Sequence, residues 1–463
     1  MEQAQPYIPV NKVRIVTAAS LFDGHDAAIN IMRRIMQSKG AEIIHLGHNR
    51  SVAEIVECAI EEDAQGIAIT SYQGGHVEFF KYMKDLLEEN GCGHIKIFGG
   101  GGGTILPAEI QELHRYGITR IYSPDDGRQM GLEGMIEDLL NSCDYAVNGN
   151  PNNFKTAMKL GEWKDVRKIA RSISNTENGV SIQTPILNNE FRIPVLGITG
   201  TGGAGKSSLV DELVRRFLLD FPTKKIGIVS VDPSKRKTGG ALLGDRIRMN
   251  AIKNERVYMR SLATRQSNLA LSKYVQDAID ILKISGFDLV IIETAGIGQS
   301  DTEIIEHSNM SLYIMTPEFG AATQLEKIDM LDFAEFVAIN KFDRKGASDA
   351  LRDVAKQVQR NKEAFTTPAE QMPVFGTMAA RFNDDGVTAL YQALKPRLQS
   401  LGLQLTDGNL PLVSVRHSTN QSPVVPASRT RYLAEISDTV RGYKKRARDQ
   451  AKLAREVQQL RES

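Results

Sequence analysis

Eight residues, Gly200-Thr201-Gly202-Gly203-Ala204-Gly205-Lys206-Ser207, follow the apolar run 193–198 and precede the helix-forming stretch 208–213. Strand, glycine loop and helix in that order let backbone N–H groups turn inward around phosphate oxygens, and the helix start adds partial positive charge. Gly202, Gly203, Ala204 and Gly205 would form the cradle. Lys206 would reach the outer phosphates, and Ser207 would hold Mg²⁺ through its hydroxyl. The same letters satisfy the dinucleotide pattern G-x-G-x-x-G, and Asp232 ends the next apolar run, where a ribose-binding acid could stand. Lys206-Ser207 directly after the last glycine, with two motifs downstream, favours the phosphate loop.

The first of those motifs ends the apolar run 287–292, where Glu293-Thr294-Ala295-Gly296 reads as an Asp-x-x-Gly switch with glutamate in the acidic place. Its backbone would sense a γ-phosphate while Glu293 helps to organise Mg²⁺ and water. The second ends the run 336–339, where Asn340-Lys341-Phe342-Asp343 matches the guanine signature. A carboxylate accepts from guanine N1–H and its 2-amino group, a pairing adenine does not offer, and contacts of that kind discriminate by about 1–3 kcal/mol. The expected nucleotide is GTP, which argues against a dinucleotide-dependent reductase. Between the phosphate loop and the first of these motifs lies a glycine-rich, charged loop, Lys237-Thr238-Gly239-Gly240 and 244–249.

These groups need strands to present them, and a second set does too. Residues 12–140 alternate strands (13–17, 41–46, 66–70, 94–98, 118–122) with helical stretches such as 27–38. That pattern predicts an α/β, doubly wound parallel sheet of flavodoxin type, with ligands at the carboxyl ends of its strands. Three loops fall on that edge: 21–26 with Asp23 and His25, 71–75 starting at Ser71, and the five glycines 99–103. An imidazole nitrogen is a good metal ligand, and a carboxylate two residues away can fix its tautomer. Small residues at Ser71, Gly99 and Gly100 would leave a slot beside the sheet. A receiver-like switch domain is the alternative, but no phosphorylatable aspartate in an acidic pocket can be placed.

The loop set resembles the cobalamin-binding domains whose pattern is Asp-x-His-x-x-Gly, Ser-x-Leu and Gly-Gly; Ala28 and Gln73 depart from it. The resemblance implies that His25 ligates cobalt, that Asp23 tunes it, and that the slot takes the nucleotide tail of adenosylcobalamin. His45, His48, His76, His94 and His114 are expected to be surface or structural. Further on, Val231-Asp232-Pro233-Ser234, the run 244–249, 293–299 and 340–343 resemble the G-protein chaperones of methylmalonyl-CoA mutase. That resemblance implies Mg²⁺ ligation by Ser207, Asp232, Asp245, Glu293 and Thr294. It also puts Arg248 near the phosphates, with Lys206 and Glu293 as catalytic groups. Both modules on one chain resemble the fused isobutyryl-CoA mutase family. That family implies a GTPase gating cofactor loading or protection, a homodimer, and an acyl-CoA mutase barrel as partner, on the same longer chain or a separate subunit. A stand-alone cobalamin-binding GTPase serving a separate mutase is the alternative.

Length and composition fit this organisation. The 463 residues exceed one ordinary domain, and 41% hydrophobic with 24% charged residues is a globular balance. A net charge of +1 gives no electrostatic case for nucleic acid or an anionic membrane. No apolar run approaches the ~20 residues of a membrane span, and residues 1–6 do not read as a signal peptide. Cys58, Cys92 and Cys143 are too few and scattered for a disulfide frame or a zinc site, and no His- or Cys-rich tract supports metal insertion. The expected compartment is the cytoplasm. Expected boundaries are 10–145 for the cobalamin-binding domain, 146–187 for a helical linker, 188–402 for the P-loop GTPase and 403–463 for a connector and C-terminal helix. The linker contains the loop 145–160, and its helix 154–173 is expected to present Lys and Arg to solvent. The final helix carries Leu433, Ile436, Val440 and Tyr443 at helical spacing, with a solvated basic run 444–448. Two open sheets leave no room for a ~250-residue barrel, so carbon-skeleton rearrangement is not expected of these residues alone.

Overall fold

The computed structural model describes residues 7, 9–147, 165–180, 192–235, 237–264, 274–294, 296, 302–320, 325–404, 408–419 and 431–463. Two parallel sheets carry the architecture. The first has the order β5-β4-β3-β1-β2-β8, built from β1 (Arg14–Ser20), β2 (Glu42–Arg50), β3 (Gly66–Thr70), β4 (Lys96–Gly100), β5 (Arg120–Tyr122) and β8 (Ala241–Leu243). Its first five members reproduce the flavodoxin-like order expected from the alternating pattern. Helices α1 (Ala27–Ser38), α2 (Val52–Glu61), α3 (His76–Glu89), α4 (Pro107–Tyr116) and α5 (Pro124–Cys143) connect them. The strands are buried on both faces, as parallel strands between helix layers must be.

The second sheet has the order β13-β12-β11-β6-β10-β7-β9. Its strands are β6 (Val195–Gly200), β7 (Ile226–Asp232), β9 (Val257–Ala263), β10 (Leu289–Thr294), β11 (Met310–Met315), β12 (Phe336–Asn340) and β13 (Val374–Thr377). All its pairings are parallel, so the phosphate loop after β6, the acid ending β10 and the asparagine ending β12 emerge at one edge. The helix Lys206–Asp220 starts directly on the glycine loop.

Two features differ from the expectations. Strand β8 comes from the glycine-rich loop of the nucleotide-binding region, yet it pairs with β2 through Glu42↔Ala241, Ile43↔Leu242 and Ile44↔Leu243. Its three residues cover main-chain groups that would otherwise form an open sheet edge. The linker helix runs Val166–Glu177, with its earlier expected part and the loop 148–160 outside the described residues; Arg167 and Lys168 face solvent as expected, but the opposite face is not solvated. Ile169, Ala170 and Ser172 to Glu177 are buried between α2 and the helix Val275–Ile284, while Arg171 pairs with Asp63 at 2.9 Å. The histidines set aside as structural include two that are buried: His45 bonds Thr17 at 3.0 Å and His76 bonds Glu109 at 3.0 Å.

The seam between the sheets is charged and buried. Arg14 on β1 meets Glu42 at 2.7 Å, Glu177 at 3.2 Å and Glu62 at 3.6 Å. Arg260 on β9 reaches the same Glu177 at 2.6 Å and Ser174 Oγ at 2.8 Å. The final helix, Tyr432–Glu462, has the expected apolar stripe but buries none of its residues. Cys58, Cys92 and Cys143 are buried free thiols. Among the described residues no helix is long and apolar enough to cross a membrane.

Candidate functional site

At the edge of the second sheet, Gly205 adopts φ +90°, and a side chain there would meet Asn340 Nδ2 at 2.6 Å. Only glycine closes the turn so tightly onto β12. Lys206 is buried at the first position of its helix, with Nζ donating to the carbonyls of Gly200 at 3.1 Å and Thr201 at 3.3 Å. Gly202 and Gly203 are exposed, and Ala204 is buried with its carbonyl accepting from Asn340 Nδ2 at 2.8 Å. Lys341, at φ +59°, donates through Nζ to Gly203 O at 2.7 Å. Two of the three expected guanine-signature residues, Asn340 and Lys341, thus brace the phosphate loop, while the third, Asp343, sits exposed beyond Phe342, whose ring stacks on His417.

The Ser207 hydroxyl lies 2.9 Å from Asp245 Oδ1 and 2.8 Å from Glu293 Oε1, and its one proton can serve only one of them at a time. Ser230 Oγ donates to the other Asp245 oxygen at 2.8 Å, and the Gly244 N–H to Asp232 Oδ2 at 3.1 Å. Burial first, then the Asp245 charge, pushes Asp232 up to about 8 and raises Glu293 well above the carboxylate range. Glu293 Oε2 is buried without a hydrogen-bond partner. Crowded carboxylates with an orphaned oxygen beside a hydroxyl are a donor set that a hard cation would relieve. No group of three or more His, Cys, Asp or Glu among the described residues is arranged to hold an ion unaided. Mg²⁺ does not need one, because it keeps waters and nucleotide phosphates in its shell and takes one or two carboxylates. Arg248 is exposed and stands 3.8 Å from Asp245. The Thr294 hydroxyl donates to Thr199 Oγ1 at 2.7 Å and is not among the groups bonded around Ser207. Ala295, Ile297, Gly298 and Gln299 lie outside the described residues.

Sequence reasoning missed the fourth wall. Asn340 Oδ1 accepts from Ala379 N at 3.0 Å and Thr377 Oγ1 at 3.2 Å, so the end of β13 fixes the orientation of the guanine-signature asparagine. The signal was the short apolar run 374–376 before Thr377-Met378-Ala379.

On the first sheet, Asp23 is buried at the end of β1 and His25 projects outward with its side chain 77% exposed. Asp23 Oδ1 takes the His25 N–H and lies 2.8 Å from Nδ1, while Oδ2 accepts from Tyr72 N at 2.6 Å. Burial would raise the Asp23 carboxyl, but the Tyr72 and His25 hydrogen bonds outweigh it and hold the group below its usual range. Occupation of Nδ1 leaves Nε2 as the ring nitrogen turned outward for a ligand. Tyr72 packs 5.5 Å from the imidazole. Ser71 is buried beneath, accepting from Ser20 Oγ at 3.0 Å. Beside these loops, a mostly apolar pocket of about 220 Å³ opens between the sheet, α1 and α5, lined in part by Met32, Phe98, Gly99, Gly100 and Met135. Gly99 backs it against Phe80, whose Cζ would lie 2.3 Å from any added Cβ.

Comparison with known proteins agrees with both halves. Residues 13–125 match the B12-binding domain, and residues 170–462 match the methylmalonyl-CoA mutase-associated GTPase MeaB. The chain is 60% identical over 459 residues to a fused isobutyryl-CoA mutase of Cupriavidus metallidurans, covering 98% of this chain and 42% of that protein. It is 55% identical over 469 residues to the one from Geobacillus kaustophilus, covering 99% of this chain and 43% of that protein. A Nocardia farcinica counterpart is 53% identical over 455 residues. The chain therefore spans less than half the length of these relatives.

Proposed function

Because the chain belongs to the methylmalonyl-CoA mutase-associated GTPase family, with a B12-binding domain ahead of the GTPase, we propose that it is the cofactor-handling part of a radical acyl-CoA mutase. One module binds adenosylcobalamin and the other hydrolyses GTP to gate loading or protection of that cofactor. The observation that carries this reading is the pair of sites, each at the carboxyl edge of its own parallel sheet, on one chain 60% identical to a fused isobutyryl-CoA mutase. Isobutyryl-CoA and n-butyryl-CoA are the substrates proposed for the complete enzyme, with an acyl-CoA mutase barrel as the partner and a homodimer as the assembly.

His25 would hold cobalt through Nε2, with Asp23 keeping the proton on Nδ1 and raising the basicity of the ring. The apolar pocket beside Gly99 and Gly100 would take the nucleotide tail. The cofactor supplies homolytic radical chemistry when bound; this chain's residues bind it, orient it and shield one face. In the GTPase, the Gly202–Gly205 loop and Lys206 would hold the phosphates, Ser207 with Asp245 and Glu293 would hold Mg²⁺, and Asp232 would act through that shell. Glu293 would also orient a water attacking the γ-phosphate, and Arg248, exposed beside Asp245, would approach the phosphates. Thr294 is the remaining member of the proposed Mg²⁺ set, and its hydroxyl is engaged by Thr199. The proposed units are 10–145, 146–187, 188–402 and 403–463, with β8 crossing from the third to complete the first.

Equilibrium titrations test this reading. The protein should bind GTP in preference to ATP, and adenosylcobalamin should show a visible-spectrum change on mixing. Asp343→Asn should shift nucleotide preference toward xanthosine triphosphate, because the side chain then presents a donor beside its acceptor. Discrimination between the bases should change by about 1–3 kcal/mol. Equal affinity of the unaltered chain for ATP and GTP would contradict the guanine assignment.

A further inference from the structure

The turn that carries Asp245 also touches the strand that holds the His25 loop. Asp245 bonds Ser207 at 2.9 Å. The next residue, Arg246, is buried against Glu61 and Glu62 at the end of α2 and donates to Met259 O at 2.9 Å. Ile247 then lies directly over Gly47 of β2, so closely that a Cβ added there would stand 2.7 Å from Ile247 Cδ1.

Gly47 is no ordinary strand residue. Its φ is +84°, and the β1–β2 register slips on either side of it, between Thr17/Ala18 and Ala18/Ser20. Strand β8 covers β2 only along Glu42–Ile44, so the bulged end is left to the 245–248 turn. Two residues on, Asn49 clasps the histidine loop: its Oδ1 accepts from Phe22 N at 2.8 Å and its N–H donates to Asp23 O at 3.3 Å. Both Phe22 (φ +64°) and Asn49 (φ +57°) are left-handed, and Phe22 is 82% exposed. A phenylalanine adopts that conformation only where its surroundings impose it, and such residues concentrate at functional sites. Bulges likewise re-aim side chains beside sites.

Resting on the functional reading above, which puts the nucleotide's metal at Ser207 and cobalt at His25, we infer that Gly47–Asn49 couples the two sites. Asn49 is a positioning residue for His25, and Ile247 is the contact through which the nucleotide site bears on it. A ligand that claims the Ser207 hydroxyl redistributes the hydrogen bonds on Asp245. Arg246 anchors that turn to α2, so the movement is delivered to Ile247, then to the Gly47 bulge and the Asn49 clasp. The bulge is a discrete irregularity with two neighbours, the kind of element both sites can bias.

Amide hydrogen exchange of the full chain, free of cobalamin and with or without Mg²⁺ and a non-hydrolysable GTP analogue, tests this. Exchange at residues 20–26 should change on nucleotide binding, and Ile247→Ala should abolish that change while still binding the analogue. In parallel, the cobalamin Kd should differ at least about 5-fold between nucleotide-bound and free protein, and that ratio should fall to about one in Ile247→Ala. Asn49→Ala should speed exchange at residue 22 in both states, and Asn49→Asp, which keeps the acceptor, should restore it. Unchanged exchange at 20–26 in the unaltered chain, or a full response in Ile247→Ala, overturns the coupling while leaving the two binding sites standing. Failure to bind the GTP analogue at all contradicts the functional reading, and the coupling falls with it.

Discussion

Lys206→Ala should lower GTP turnover by about 10²–10³-fold, the usual cost of removing one preorganised donor from a site where charge develops. The side chain is buried, with its ammonium held by the Gly200 and Thr201 carbonyls. Those bonds keep the ammonium over the glycine loop, where the outer phosphates would lie. Lys206 opens the helix Lys206–Asp220, so truncation to alanine, a good helix former, leaves the backbone its preferred geometry. The loss is therefore one of charge at the phosphates. Phosphate release at saturating Mg²⁺ and GTP reads it, and cobalamin titration of the same preparation reports that the other sheet is intact. Turnover within twofold of the unaltered chain would mean that these residues do not handle the phosphates.

Glu177→Ala should destabilise the chain by about 3–5 kcal/mol, the range for breaking a buried ion pair from one side. Glu177 ends the linker helix and meets two buried guanidiniums, Arg14 at 3.2 Å from the first sheet and Arg260 at 2.6 Å from the second. Burial alone would make the Arg14 charge costly, but Glu177, Glu42 and Glu62 more than offset it and hold the group protonated. Removing the shared carboxylate leaves Arg14 with Glu42 and Glu62, and takes from Arg260 its closest acid. The urea midpoint should fall accordingly, and Glu177→Gln, which keeps the shape and an acceptor, should fall less. A midpoint unmoved by Glu177→Ala would show that the seam does not bear on stability.

The reasons these sites could be read from sequence are specific. Lys206, Asn340 and His25 each follow an apolar run that can only be a strand, and glycines or small residues mark the turns that expose them. Strand β8 had no such signature. Ala241-Leu242-Leu243 is too short to show a period, and it becomes a strand because the edge of β2 is there to receive it. Arg260 carried no local signal, because nothing in the run Val257–Ala263 marks its arginine as a core residue of a buried strand. Its partners Ser174 and Glu177 lie more than eighty residues away in the chain, beyond any local pattern. The same distance hid the buried face of the linker helix, whose Glu177 meets guanidiniums on both sheets while Arg167 and Lys168 stay exposed. Asn49 and Gly47 were equally hidden, because a bulge depends on the register of a neighbouring strand.

On the reading proposed above, one chain ligates cobalt through His25 while holding GTP on a second sheet. Electron paramagnetic resonance of the cob(II)alamin complex reads the axial ligand directly. Superhyperfine splitting from a single nitrogen is expected in the unaltered chain. That splitting should arise from imidazole, so isotopic labelling of histidine with ¹⁵N should change it, and His25→Ala should abolish it while GTP binding persists. Splitting that survives both the labelling and the His25→Ala substitution unchanged would show that His25 does not ligate the cobalt.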